Sequence, residues 1–320
     1  MRGIVNRLLL GLGLLSLGLS GCTNDHQDQE VETMMQNSYP DAQAHCIGRF
    51  MVDIPPFLSL TGGGSRYFGV TIEHRRDTEE RYQKRVNQEV YNREHIGAKD
   101  SPYYSDQDKL VKRLPLQNGE ILVYGEYNFA VAYVHHNMST WTLKNAYAQD
   151  YQAIADRIQF RPETSDRAVP DGKGYCIMSG FIDETSPTKN EWEDRYFNMK
   201  NNNDFMLSLN ISNIGKQRQS LSELEQERDG LSAKLLSAGQ IDYEKKAEPI
   251  SLSFIEGEQS IVNLKSESGW NYNFVAQGQV SDPAHPFIQI RMTSGSMDKE
   301  DADKLWYSIL GSLGPRPGAF

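Results

Sequence analysis

The sequence predicts an α+β fold of two similar domains, each an antiparallel sheet with helices packed on one side. Three observations predict it. Both halves of the 320-residue chain contain segments in which apolar and polar residues alternate with period two. Each half then carries a charged segment with helical spacing and closes on a second apolar stripe of helical period. The order is the same in both: a strand pair, a helix, several strands, a helix. A joint near Arg161–Lys173, with Pro162, Pro170 and Gly172, separates the halves. The expected domains are residues 45–165 and 166–320.

The chain opens with Arg2 and Arg7 ahead of an apolar run from Leu8 to Leu19, too short to cross a bilayer as a helix. That order is the pattern of a secretory signal over residues 1–21. The run ends Leu19-Ser20-Gly21-Cys22, which resembles the lipobox of bacterial lipoproteins, whose cysteine is lipidated and becomes the new N-terminus. Thr23 in place of Asp goes, in such lipoproteins, with sorting to the outer membrane. The expectation is a periplasmic protein held to a membrane through lipid on Cys22. Residues 22–44 contain five acids, no Lys or Arg and little apolar content, and are expected to form a flexible acidic tether spanning roughly 25 Å.

In the first half, Cys46-Ile47-Gly48-Arg49-Phe50 and Met51-Val52-Asp53-Ile54-Pro55 have strand composition, and Phe68, Val70 and Ile72 are expected to share one strand face. Gly62-Gly63-Gly64 is expected to be a flexible turn, since no Lys-Ser/Thr follows to make a phosphate loop. Asp77 with Glu80 marks a helix start and Gly97 its stop, with Tyr82, Val86 and Val90 as the apolar stripe. Strands are expected over 110–114, 120–124, 129–135 and 140–143, with Asn118-Gly119 as a hairpin turn. Tyr147, Tyr151, Ile154 and Ile158 make the closing helix.

The second half opens with Tyr175-Cys176-Ile177-Met178-Ser179-Gly180-Phe181-Ile182. Phe205, Leu207, Leu209 and Ile211 alternate with polar residues along a half-buried strand. Ser220 with Glu223 starts a helix whose stripe is Leu221, Leu224, Leu231 and Leu235, ending at Gly239. Strands follow over 250–254, 260–265, 270–276 and 287–292, with Ser268-Gly269 as a turn. Ala302, Leu305, Trp306, Ile309 and Leu313 form the last helix, before Pro315.

Charge and motifs narrow the function. Removing residues 1–21 takes Arg2 and Arg7 from the 33 basic residues and none of the 43 acidic ones, so the net charge moves from −10 to −12. That argues against nucleic acid as a partner and suits a basic protein partner met by electrostatic steering. G-x-S-x-G, H-E-x-x-H and C-x-x-C are all missing, so no catalytic residue, metal ligand or cofactor site is expected. His135-His136, adjacent on a strand, should point to opposite faces. In an oxidising compartment Cys46 and Cys176 are expected to be bridged, the alternative being one buried thiol in each domain. Acidic clusters such as Glu223, Glu225, Glu227 and Asp229 are expected to be solvated faces. Glu191-Trp192-Glu193-Asp194-Arg195-Tyr196 mixes large aromatics with acids. It makes Glu191, Trp192, Glu193, Asp194 and Tyr196 candidates for an interface anchor within an acidic rim.

Taken together, the lipobox at Cys22, the Cys46-Ile47-Gly48-Arg49-Phe50…Asp53-Ile54-Pro55 opening, the Gly174-Tyr175-Cys176-Ile177…Gly180-Phe181-Ile182 opening and the segment Ser266-Glu267-Ser268-Gly269-Trp270 resemble the lipoprotein immunity proteins paired with the fourth family of type VI secretion lipase effectors. The resemblance covers the mature chain. It implies two α+β domains without catalysis and a monomer that forms a heterodimer with its cognate phospholipase effector in the periplasm. Binding would block substrate access or hold the lid closed. The competing readings from the residues are a periplasmic lipoprotein hydrolase using a carboxylate pair and a structural envelope lipoprotein.

Overall fold

The computed structural model describes residues 33–36, 39–95, 109–125, 129–161, 169–170, 172–183, 190–213, 215–227, 239, 241–265 and 269–320. The signal sequence, Cys22, Gly97, Pro162, Leu231, Leu235 and the Ser268 turn position lie outside the described residues.

The first half runs β1 (Gln43–Ile47), β2 (Phe50–Ile54), β3 (Leu58–Tyr67), β4 (Val70–Arg76), α1 (Glu79–Glu94), β5 (Leu110–Leu116), β6 (Gly119–Tyr124), β7 (Phe129–His136), β8 (Ser139–Lys144), α2 (Ala148–Ala155) and β9 (Ile158–Phe160). The second runs β10 (Gly174–Ile177), β11 (Gly180–Asp183), β12 (Trp192–Met199), β13 (Asn202–Ser212), a helical segment α3 at 221–227, β14 (Ile241–Ser251), β15 (Glu256–Leu264), β16 (Trp270–Ala276), β17 (Phe287–Thr293), α4 (Lys299–Ser312) and β18 (Gly314–Pro315). The α+β class and the repeated element order are as the sequence predicts.

Six strands from each half form an antiparallel sheet, and the two sheets join edge to edge in the order β14-β15-β16-β17-β13-β12-β3-β4-β8-β7-β6-β5. The seam is the β3–β12 pair, in register from Arg66 opposite Trp192 to Leu58 opposite Met199, with a shift between Tyr196 and Phe197. Two small sheets, β1-β2-β18 and β10-β11-β9, complete the layer that covers the inner face.

Alternation decides what is buried. Phe205, Leu207, Leu209 and Ile211 of β13 face inward with Tyr272, Phe274 and Ala276 of β16 and Ile288, Ile290 and Met292 of β17. Ala302, Leu305, Trp306, Ile309 and Leu310 of α4 close over them. Asp298 caps α4, its side chain accepting from the Asp301 amide. In the first half, Ile121, Val123, Ala132, Val134, Trp141 and Leu143 face α2 through Tyr151 and Ile154. The opposite face of β6 and β7, with Leu122, Val131 and Tyr133, takes Tyr82, Val86 and Val90 of α1. Helices therefore take both faces of the first half, which refines the one-sided arrangement. His135 stacks on Tyr82 at 4.7 Å, while its neighbour His136 is exposed.

Some local expectations are corrected. Gly62, Gly63 and Gly64 lie within β3 and form no turn. Phe68 does not share a face with Val70: with φ 54° it sits in the β3–β4 turn beside Gly69, 61 % exposed. Thr78, not Asp77, caps α1, because its hydroxyl accepts from the Arg81 amide. Ile158 belongs to β9, so α2 is shorter than its stripe. The strand expected at 250–254 begins at Ile241 and ends at Ser251. The capping box at Ser220 and Glu223 holds, with reciprocal bonds of 2.7 and 3.1 Å. Part of the segment expected to be a tether is folded. Residues 33–36 are helical, Met34, Met35 and Tyr39 pack against the second-half core, and β1 starts at Gln43. The apolar pair Met34-Met35 docks where Gly311 lacks a side chain: a Cβ there would lie 2.0 Å from the Met35 carbonyl oxygen.

Candidate interaction surface and the seam beneath it

The segment 191–196 lies on the seam, and period two divides its residues between two environments. Glu191, Glu193 and Arg195 point inward and are buried, whereas Tyr196 is exposed and Trp192 and Asp194 are half-buried on the other face. The expectation that Glu191 and Glu193 form an acidic rim is therefore corrected. Phe197, buried and of the same parity, marks that face as interior.

Inside the seam each acid meets an arginine. Arg49 donates to Glu191 through Nε to Oε2 at 2.8 Å and Nη2 to Oε1 at 2.6 Å, a bidentate pair. Its Nη1 donates to the Ala319 carbonyl at 2.9 Å. Glu193 pairs with Arg195 and accepts from the Ser65 hydroxyl at 2.8 Å. Arg316 donates to the Pro170, Gly172 and Gly174 carbonyls at 2.6–2.8 Å. Arg161 lies against the disulfide that joins Cys46 and Cys176, its Nη1 at 3.3 Å from the Cys176 sulfur. Sequence reasoning missed Arg49, Arg161, Arg195 and Arg316. Period carried a signal for one of them: Arg195 shares its parity with Glu193 and Phe197.

Burial pushes the Glu193 carboxyl up to about 7, against the pull of Arg195, Ser65 and Tyr175. Burial also holds the Tyr175 hydroxyl well above its ordinary value, and lowers His74 to about 4 with help from Arg195 and Arg76. A carboxyl raised in the fold binds a proton that the unfolded chain has already released. Stability from Glu193 is thus fully present below about pH 4.5 and is lost as pH rises toward 7, by on the order of 3 kcal/mol. The expected result is a declining urea midpoint from pH 5 to 7 that Glu193→Gln flattens. An unchanged slope in the variant would rule out Glu193 as its source.

On the outer face, missing side chains in β3 make room for rings. A Cβ on Gly64 would meet the Trp192 ring at 3.1 Å, and one on Gly62 would meet Tyr196 at 3.7 Å. The Tyr196 hydroxyl donates to Asp194 Oδ2 at 2.9 Å, and Asn210 Nδ2 donates to Asp194 Oδ1 at 2.8 Å. Tyr196, 39 % exposed, and Met206, 45 % exposed on the next strand, complete an exposed patch on this face. A second exposed aromatic group lies at the far end of the first half. Tyr124, Phe129 and Tyr147 stack in succession, with the Arg93 guanidinium 3.7 Å from the Tyr124 ring centre. A groove of about 890 Å³ at the β14–β15 turn is lined by Phe254, Ile255, Glu256, Glu258, Gln277 and His285. Glu258 there is engaged by the Ser222 amide and hydroxyl. Among the described residues no group of three His, Cys, Asp or Glu converges as metal ligands, and no helix is long and apolar enough to cross a membrane. Rigid aromatics beside oriented polar groups suit binding of a protein surface.

Two family models match adjoining parts of the chain: Tle cognate immunity protein 4 N-terminal domain at residues 43–169 and Tle cognate immunity protein 4 C-terminal domain at residues 168–318. No curated protein matches by sequence. Among solved structures, the apo form of the type VI secretion immunity protein TplEi from Pseudomonas aeruginosa aligns with a TM-score of 0.66 at 18 % identity, covering 87 % of this chain and 98 % of that one. TplEi complexed with "L" peptide gives the same score and identity, over 87 % and 99 %. A chain of the Tle4–Tli4 complex aligns at 0.66 with 17 % identity, again over 87 % and 99 %.

Proposed function

The chain belongs to the Tle cognate immunity protein 4 family, whose N- and C-terminal domain models together span residues 43–318, and from that membership we propose that it binds and inhibits a cognate type VI secretion phospholipase effector. That adjoining pair of matches is the observation that carries the proposal. The family is one of effector-binding immunity proteins, not of enzymes. The likeness to a chain of the Tle4–Tli4 complex supports the same class of partner. Lipidation at Cys22 and sorting to the outer membrane would hold the inhibitor in the periplasm, ahead of a toxin that attacks membrane lipid. The Trp192–Asp194–Tyr196–Met206 patch would supply preformed contact, and the net charge of −12 left after removal of residues 1–21 would speed encounter with a basic surface.

The test is to titrate residues 23–320, as a soluble protein, into an activity assay of the phospholipase encoded beside the gene. Activity should fall linearly to zero at one equivalent. Tyr196→Ala should weaken binding roughly tenfold or more if the patch is a hot spot. Full lipase activity with no complex at equimolar concentration would remove the proposal.

A further inference from the structure

The two opening hairpins do not pack where the sequence order places them. The β1–β2 hairpin belongs to the first half, yet Ile47, Phe50, Val52 and Ile54 are buried in the second-half core with Trp306, Ile309 and Leu310 of α4. Its third strand is β18, which follows α4, with Gly314 opposite Met51. The Asp53 amide donates to Ser312 of α4 at 3.0 Å. The β10–β11 hairpin does the converse. Tyr175, Ile177 and Ile182 are buried in the first-half core with Trp141, Tyr151 and Ile154. Its third strand is β9, which follows α2, with Gly180 opposite Phe160. Trp141 Nε1 donates to the Met178 carbonyl at 2.8 Å.

The positions correspond residue for residue. Ile47 faces Phe50 at the end of one hairpin and Ile177 faces Gly180 at the end of the other. By that register Cys46 is the counterpart of Cys176, so the disulfide joins equivalent positions. Phe160-Arg161-Pro162 corresponds to Pro315-Arg316-Pro317. The Arg161 amide donates to the Ser179 carbonyl at 2.9 Å, and the Arg316 amide donates to the Arg49 carbonyl at the same distance. The seam strands β3 and β12 are also counterparts, paired antiparallel with each other as in an isologous contact.

We infer that the two halves are a reciprocally hairpin-exchanged pair within one chain, interlocked by the exchanged β1–β2 and β10–β11 hairpins and bolted at Cys46–Cys176, so that the connecting peptide is not what holds them together. Without the other's hairpin each half keeps its closing helix but loses part of its inner layer. The chain should therefore act as one body even after a break in the connection.

The test is a full-length chain carrying a site-specific protease sequence in place of residues 162–168, folded and then cleaved. One particle of full-chain size should elute from size exclusion, both oxidised and after reduction, and only a reducing denaturing gel should show two fragments. Two separate folded species after cleavage and reduction would overturn the inference. Hydrogen exchange on the uncut chain gives a second route should the insertion impair folding. Ile309→Val in the second half should speed exchange of β1–β2 amides severalfold. Exchange in β1–β2 that stays unmoved would overturn the exchanged arrangement.

Discussion

Replacing Cys46 with serine is expected to destabilise the fold by about 5 kcal/mol, the loop-closure value for 130 residues in the chain-entropy account. The bridge closes most of the first half into one loop, so its loss returns that freedom to the unfolded ensemble. Native geometry adds to the effect. Cys176 is fully buried, and Arg161 Nη1 sits 3.3 Å from its sulfur, so the variant leaves a guanidinium facing a thiol in a packed site. Urea denaturation of Cys46→Ser against the oxidised wild type measures the difference. The reduced wild type should coincide with the variant. A midpoint unchanged in both would show that the bridge constrains little.

Glu191→Ala is expected to destabilise by about 3–5 kcal/mol, because it leaves the buried Arg49 guanidinium without its bidentate carboxylate. Arg49 keeps the Ala319 carbonyl and lies 5.9 and 6.0 Å from the Tyr175 and Phe320 ring centres, which offsets part of the loss. Glu191→Gln should fall between alanine and wild type, since it keeps one acceptor and gives up the charge. The double variant Arg49→Met/Glu191→Met should recover most of the stability lost by Glu191→Ala, as an apolar pair does not strand a charge. Equilibrium unfolding of the three variants at fixed pH checks this order. A double variant no better than Glu191→Ala would mean that packing, not the ion pair, dominates at this site.

The one-sided strands were legible in sequence because alternation is a local property. Phe205 to Ile211 and Tyr272 to Ala276 face inward as their spacing predicts. The Cys46–Cys176 bridge was expected from the oxidising compartment that the signal-like N-terminal segment predicts. What was not legible depends on neighbours distant in sequence. Gly62-Gly63-Gly64 looks like a turn until β12 lays Trp192 and Tyr196 across it. Glu191 and Glu193 look like surface acids until Arg49, 142 residues from Glu191, is placed beside it. The start of β14 was missed because Ile241 to Pro249 is rich in charge and is irregular in register. The hairpin exchange leaves no mark in the order of elements, which is the same whether each half keeps its hairpin or gives it away.

The edge-to-edge seam has a consequence for self-association. Two separate six-stranded sheets would expose four rows of unpaired backbone groups, each a template for cross-β growth. Among the described residues, fusion at β3–β12 leaves two such rows, on β5 and β14. Both are poor templates. Pro115 and Pro249 cannot donate to an incoming strand, Lys112, Arg113, Lys245 and Lys246 charge the rims, and register shifts bend both strands. Edges of this kind disfavour the strand-by-strand addition that seeds fibrils when many copies crowd together.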